Sequence, residues 1–156
     1  MKLSLHNRQS RISLKTANLK KATRWLADRI ARDSGLAPWS ELAVTFTDDE
    51  GIVPVNAACF GKAWPTDVIT QPYISPPGGD VIVNVERALA VGGAGPRGEA
   101  ELALYIAHGL HHLAGAVDDT PARRRAMLRQ EQAWLRAAEN EGLLAALWRA
   151  AGPGRR

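Results

Sequence analysis

Three of the chain's four histidines fall in His108-Gly109-Leu110-His111-His112, and the pattern around them predicts a helix over 99–113. Successive helical residues turn by about 100°, so positions four apart lie roughly 40° apart on one face. His108 and His112 can therefore aim their imidazoles at one point. Gly115 suits a helix end, because glycine tolerates the left-handed conformation such ends use. A reversal there brings Asp118 towards the same point. Two imidazole nitrogens and one carboxylate oxygen, with a fourth position free, form the ligand set of a catalytic zinc rather than a structural one. Other divalent metals are compatible with these donors. Asp119 rivals Asp118 if the loop is one residue tighter.

The spacing His-x3-His-x2-Gly-x2-Asp equals that of the long zincin signature with Asp as third ligand. Gly109, however, stands where a metalloprotease keeps its general-base Glu. His6 has no ligand spacing around it and reads as a strand residue on an open face.

The elements that must position these groups follow from periodicity. Residues 3–7 alternate apolar and polar like a half-buried edge strand. Asn18 is expected to cap a helix over 19–33 with Leu19, Ala22, Leu26 and Ile30 inward, ended by Gly35 and Pro38. Residues 41–47 read as a strand. Asp48, Asp49 and Glu50 then suit the first turn of a helix better than a metal site. Pro54 predicts that this helix starts late or is kinked. A turn feeds a strand ending near Thr70, and a Pro/Gly-rich loop spans 73–79. Residues 80–85 read as a central strand, and 86–91 as a helix that stops in a flexible Gly92-Gly93-Ala94-Gly95-Pro96 loop. Thr120-Pro121 should open a helix to about Asn140, with Ala126, Met127, Gln130, Trp134, Leu135 and Ala138 on one face. A last short helix is expected over 143–148. Two strands joined only by a short loop pair antiparallel, so the sheet should be mixed. The expected fold is α+β: a small mixed sheet of about four strands packed with helices, the metal-binding helix followed by a long C-terminal helix.

At 156 residues, with 46% hydrophobic content, the chain suits one domain, read as 1–151 with a flexible basic tail at 152–156. A net charge of +4 permits a polyanionic partner without demonstrating one. The single cysteine, Cys59, excludes an internal disulfide framework and reads as a small buried side chain beside Ala57 and Ala58. No apolar run matches a signal peptide or membrane span, so a cytoplasmic protein without membrane partners is expected.

Several blocks, in order, resemble the YbeY-type endoribonucleases, a family of bacterial rRNA maturation factors (UPF0054). They are Leu42 to Asp49 with Asn56; Gly61-Lys62 followed by Pro65-Thr66-Asp67-Val68; Gly79-Asp80-Val81-Ile82; and His108-Gly109-x-x-His112-Leu113-x-Gly115. Met127, Gln130 and Glu131 resemble the helix that follows. The resemblance implies a metal-dependent, single-strand-specific endoribonuclease acting on rRNA and ribosomal particles, with one zinc ion and no DNA partner expected. It also implies an apolar residue where His111 stands, so His111 is expected to pack beside the site rather than to ligate. The family's third ligand is a histidine, a place taken here by Asp118. The arginine that precedes Gly-Lys in the family is Phe60 here.

On this reading His108, His112 and Asp118 hold the metal. Lys62 faces the phosphate as a point charge, weaker than arginine's fork. Thr66 and Asp67 orient the surroundings of the metal. Arg123 and Arg124 follow the metal loop and are candidates for RNA phosphates, a solvated helix face being the plainer account. Two other functions compete: a metal-binding ribosome-assembly protein that no longer cleaves, and a zinc protease, which Gly109 disfavours.

Overall fold

The computed structural model describes residues 1–149, so the expected domain end at 151 and the basic tail at 152–156 lie outside the described residues. Strand β1, Lys2–Asn7, pairs in parallel with β3, Glu41–Thr47, which pairs in parallel with β5, Gly78–Asn84. β4, Val68–Pro72, runs antiparallel on the far side of β5, giving the order β1-β3-β5-β4 and the mixed sheet expected. Leu42, Val44 and Phe46 of β3 and Val81 and Val83 of β5 are fully buried on one face, while Ala43, Thr45 and Ile82 alternate outwards. This period-2 burial is what a sheet covered by helices on one side requires.

Helix α1, Thr16–Asp33, buries Leu19, Ala22, Leu26 and Ile30 at three- and four-residue spacing. It ends in a Schellman motif: Gly35 takes φ 72°, Leu36 N–H donates to Ala31 O and Gly35 N–H to Arg32 O. Asn18 does not cap it. The helix starts at Thr16, three residues earlier than expected, and Asn18 instead donates through Nδ2 to Ala146 O at 2.8 Å. Helix α2, Asp49–Phe60, is N-capped by Asp48, whose side chain accepts from Gly51 N–H, so the acidic trio is a helix start as expected. The late start expected from Pro54 does not occur. The proline stands exposed in the second turn, and the Asp48 cap fixes the start of the helix ahead of it.

Helix α3, Val85–Gly92, leads into α4, Pro96–Leu113, and α5, Pro121–Asn140, follows; Thr120 caps α5 by accepting from Arg123 N–H. Leu102, Ile106 and Leu110 of α4 pack into the core with Leu26 and Ile30 of α1 and Trp134 and Ala138 of α5. Gly109 lies where α4 meets the sheet: a Cβ there would stand 2.6 Å from Val81 Cγ1 and 3.1 Å from Val68 Cγ2.

No helix forms over 143–148. Instead Trp148–Arg149 (β6) pairs antiparallel with Ser13–Leu14 (β2), and Leu147 and Trp148 are buried. Buried Glu99 of α4 accepts from the N–H groups of Leu147 and Trp148, and Trp148 Nε1 donates to Ala94 O. These non-local partners satisfy a backbone that a short helix would have satisfied locally. Cys59 is half-buried and accepts from Gln71 Nε2, while Ala57 and Ala58 are exposed, so α2 does not bury that turn as expected. No described helix is long and apolar enough to cross a membrane.

Candidate metal centre and its cleft

His108 and His112 are one turn apart near the C-terminal end of α4, and their rings converge: the two Nε2 atoms lie 3.1 Å apart. The opposite nitrogens are both engaged by acceptors. His112 Nδ1 donates to Ala116 O at 2.9 Å, and His108 Nδ1 lies 3.0 Å from both oxygens of Glu131. A carbonyl and a carboxylate take the Nδ1 protons, so the neutral rings present two Nε2 lone pairs to each other. Such an arrangement calls for a cation or a shared proton between them.

The helix end supplies the third donor. Gly115 takes φ 99°, and Ala116 N–H donates to His111 O and Gly115 N–H to His112 O, the same terminating motif as in α1. The chain turns back and sets Asp118 Oδ2 3.3 Å from His112 Nε2 and 3.7 Å from His108 Nε2. Tetrahedral bonds of about 2.0–2.1 Å imply ligand–ligand separations of about 3.3 Å. The observed separations bracket that value, so these residues fit a four-coordinate divalent ion with one open position. Asp119 points elsewhere, its carboxylate on the Arg123 guanidinium at 2.8 Å, which separates the two rivals for third ligand.

Glu131 is the unexpected member. It is 1% exposed and also accepts from His111 Nδ1 at 2.7 Å, while the His111 ring packs edge-on against Trp134 at 4.8 Å. His111 therefore lies beside the site, on the carboxylate it shares with His108. The signal for Glu131 was present: Met127, Glu131, Trp134 and Ala138 share one face of α5 by helical spacing, and an acid on a buried face needs a partner. Burial pulls the His108 imidazolium pKa down, but the Glu131 hydrogen bond and the charges of Glu131, Asp67 and Asp118 outweigh it and hold the pKa above the usual value. Burial pushes Glu131 up, and the hydrogen bonds and charges of His108 and His111 bring it below the ordinary carboxylate range.

The donors open into a cleft of about 330 Å³, which Lys62, Thr66 and Asp67 also line. Thr66 Oγ1 donates to Asp67 Oδ1 at 3.3 Å, and the same oxygen accepts from Val68 N–H, so this pair shapes the start of β4 and makes no hydrogen bond to the histidines. Buried Asn84, which the sequence did not single out, ties the pair down: its N–H donates to Asp67 O and its Nδ2 to Thr66 O and Asp49 Oδ1. Arg124 donates to the Asp118 carbonyl at 3.2 Å and lines a groove on the other side of Asp67, His108 and Asp118. Arg123 is committed to Asp119. The Gly109 contacts leave no volume for a glutamate side chain, so the base position of a metalloprotease is filled by the sheet.

A family model described as endoribonuclease YbeY matches residues 4–139. A protein named endoribonuclease YbeY from Anaeromyxobacter sp. (strain Fw109-5) is 37% identical over 129 residues, 74% of this chain and 62% of that protein. Its counterpart from Anaeromyxobacter dehalogenans (strain 2CP-C) is 37% identical over 116 residues, 58% of its length, so the chain matches about three-fifths of these two relatives. The Geobacter sulfurreducens protein of the same name is 32% identical over 158 residues, covering 92% of this chain and 100% of the relative. The solution structure of TM1509 from Thermotoga maritima shares the fold, with a TM-score of 0.57 and 99% of both chains covered at 18% identity.

Proposed function

The chain belongs to the YbeY endoribonuclease family, and from that membership we propose that it is a metal-dependent endoribonuclease cutting single-stranded segments of rRNA in ribosomal particles. The observation that carries the reading is the convergence of the His108 and His112 Nε2 atoms with Asp118 Oδ2 on the wall of an open cleft. These three residues would hold the ion, with zinc favoured by the donor set and other divalent metals accommodated. A bound ion supplies Lewis acidity towards water and a phosphoryl oxygen. Glu131 and the Ala116 carbonyl hold the two imidazoles in the tautomer that leaves Nε2 free. Lys62 sets a positive charge on the cleft wall for a phosphate, and Thr66 and Asp67 shape the wall beside His108. Arg124 steadies the Asp118 loop and offers a positive charge to an RNA phosphate in the groove beside Asp118, whereas the charge of Arg123 is met by Asp119. A cytoplasmic location accords with this substrate.

A second reading has one observation in its favour. Phe60, 57% exposed, lines the cleft at the position of the family's arginine, so a cation is absent where cleavage would use one. On that reading the protein binds metal and ribosomal RNA without cutting. The two are separated by incubating metal-loaded protein with single-stranded RNA beside a His112→Ala variant. The nuclease reading expects cuts that the variant does not make. Stoichiometric metal and RNA binding without cuts would establish the non-cleaving one. Wild type that takes up no stoichiometric metal under replete conditions would defeat both.

A further inference from the structure

Phe60 and Trp64 are large apolar side chains left in solvent, 57% and 58% exposed, and both line the metal cleft. Exposed Lys62 stands between them in sequence and lines the same cleft, so 60–64 reads aromatic-Gly-Lys-Ala-aromatic. The backbone beneath is fixed. Gly61 takes φ 68° to close α2, Lys62 N–H donates to Asn56 O at 3.4 Å, and the buried Asn56 side chain donates to Trp64 O at 2.8 Å. A single exposed aromatic is ordinary. Two of them flanking a lysine, on a braced loop at the mouth of a cleft, offer what single-stranded nucleic acid binds: π-faces for bases and a cation for the phosphate.

We propose that Phe60 and Trp64 form a stacking subsite for unpaired nucleobases, with Lys62 on an adjoining phosphate, which seats RNA at the metal cleft. The proposal builds on the RNA substrate of the preceding section and adds how the strand is held. Stacking is not screened by salt, whereas a lysine–phosphate contact is. Phe60 thus contributes binding of a different kind from a cation at the same place. Paired bases hide their faces in the duplex, so the subsite also selects single strands.

The test is fluorescence anisotropy of the full chain, with a chelator present so that no strand is cut. The probe is a labelled single-stranded RNA of about 12 nucleotides, within the usual span of such sites. Phe60→Ala and Trp64→Ala should each weaken binding by about 5- to 100-fold, at low and high salt alike. Trp64→Phe should keep binding within about threefold of wild type, since it retains a π-face. Lys62→Ala should instead reduce the salt slope by about one. An oligonucleotide with abasic nucleotides should bind wild type as weakly as the alanine variants bind the natural strand. Thermal melts equal to wild type would show the variants folded, as expected for exposed side chains. If wild type binds the RNA and both alanine variants bind it within about twofold, the subsite is refuted while the RNA-binding function stands. If wild type does not bind RNA, with or without metal, both fall together.

Discussion

Glu131→Gln is the most informative single change in this molecule. The substitution keeps the shape of the side chain and removes its charge. Glu131 is 1% exposed and receives Nδ1 protons from two rings, His108 at 3.0 Å and His111 at 2.7 Å. A carboxylate can accept from both, whereas an amide has one accepting oxygen and must turn its NH2 towards the other ring. If the NH2 faces His108, that ring must accept at Nδ1 and carry its proton on Nε2, where it can no longer ligate. Loss of such a partner beyond the ligands costs about 10- to 100-fold in metal affinity. Hydrogen bonds to charged groups contribute about 1.5–3 kcal/mol each, so weakening two of them should destabilise the metal-free fold by about 2–4 kcal/mol. For a chain of this size that corresponds to a melting temperature lower by about 4–16 °C. Competition with a chromophoric chelator measures the affinity, and circular dichroism melts with and without metal measure the stability. Glu131→Met removes the acceptor whichever way an amide would turn, so a Glu131→Met variant with metal affinity within about twofold of wild type would refute the assignment of Glu131 as the residue that sets the His108 tautomer.

Metal binding should also follow pH. The raised His108 pKa means that its imidazolium stabilises the metal-free fold fully below the unfolded histidine value, and that this contribution is lost as pH rises through the folded value. Metal affinity should climb across the same window as the proton is released, and a titration flat from the ordinary histidine range upwards would contradict the geometry. Asp118→Ala should abolish stoichiometric metal while Asp119→Ala retains it, as read by metal analysis of the purified proteins; the reverse result would exchange their roles. Gly109→Ala would push a Cβ to 2.6 Å from Val81 and should cost about 1–3 kcal/mol, seen as a lower denaturation midpoint with the slope unchanged. Glu99→Ala should strand the Leu147 and Trp148 N–H groups in a buried setting, costing about 1–3 kcal/mol and raising hydrogen exchange in β6 ahead of the core.

What the sequence determined by itself was whatever contiguous residues decide among themselves. The three- and four-residue spacing of Leu19, Ala22, Leu26 and Ile30, the Thr120-Pro121 start and the Gly115 stop are local features, and the helices formed where they indicate. The His108–His112 pair was legible for the same reason, since four residues on a helix fix a face. Tertiary structure decided what depends on groups far apart in sequence. Asn18 resembles a cap until Ala146, 128 residues away, takes its amide, and residues 143–148 resemble a helix until Glu99 and β2 take their backbone. That Asp118 rather than Asp119 converges on the two rings came from the turn at Gly115 and from Arg123. Glu131, 23 residues beyond His108, became part of the site only when α5 packed against α4. Helical periodicity placed Glu131 on the buried face, but only the packed fold identified its partners, because burying a charge there requires the two rings that neutralise it.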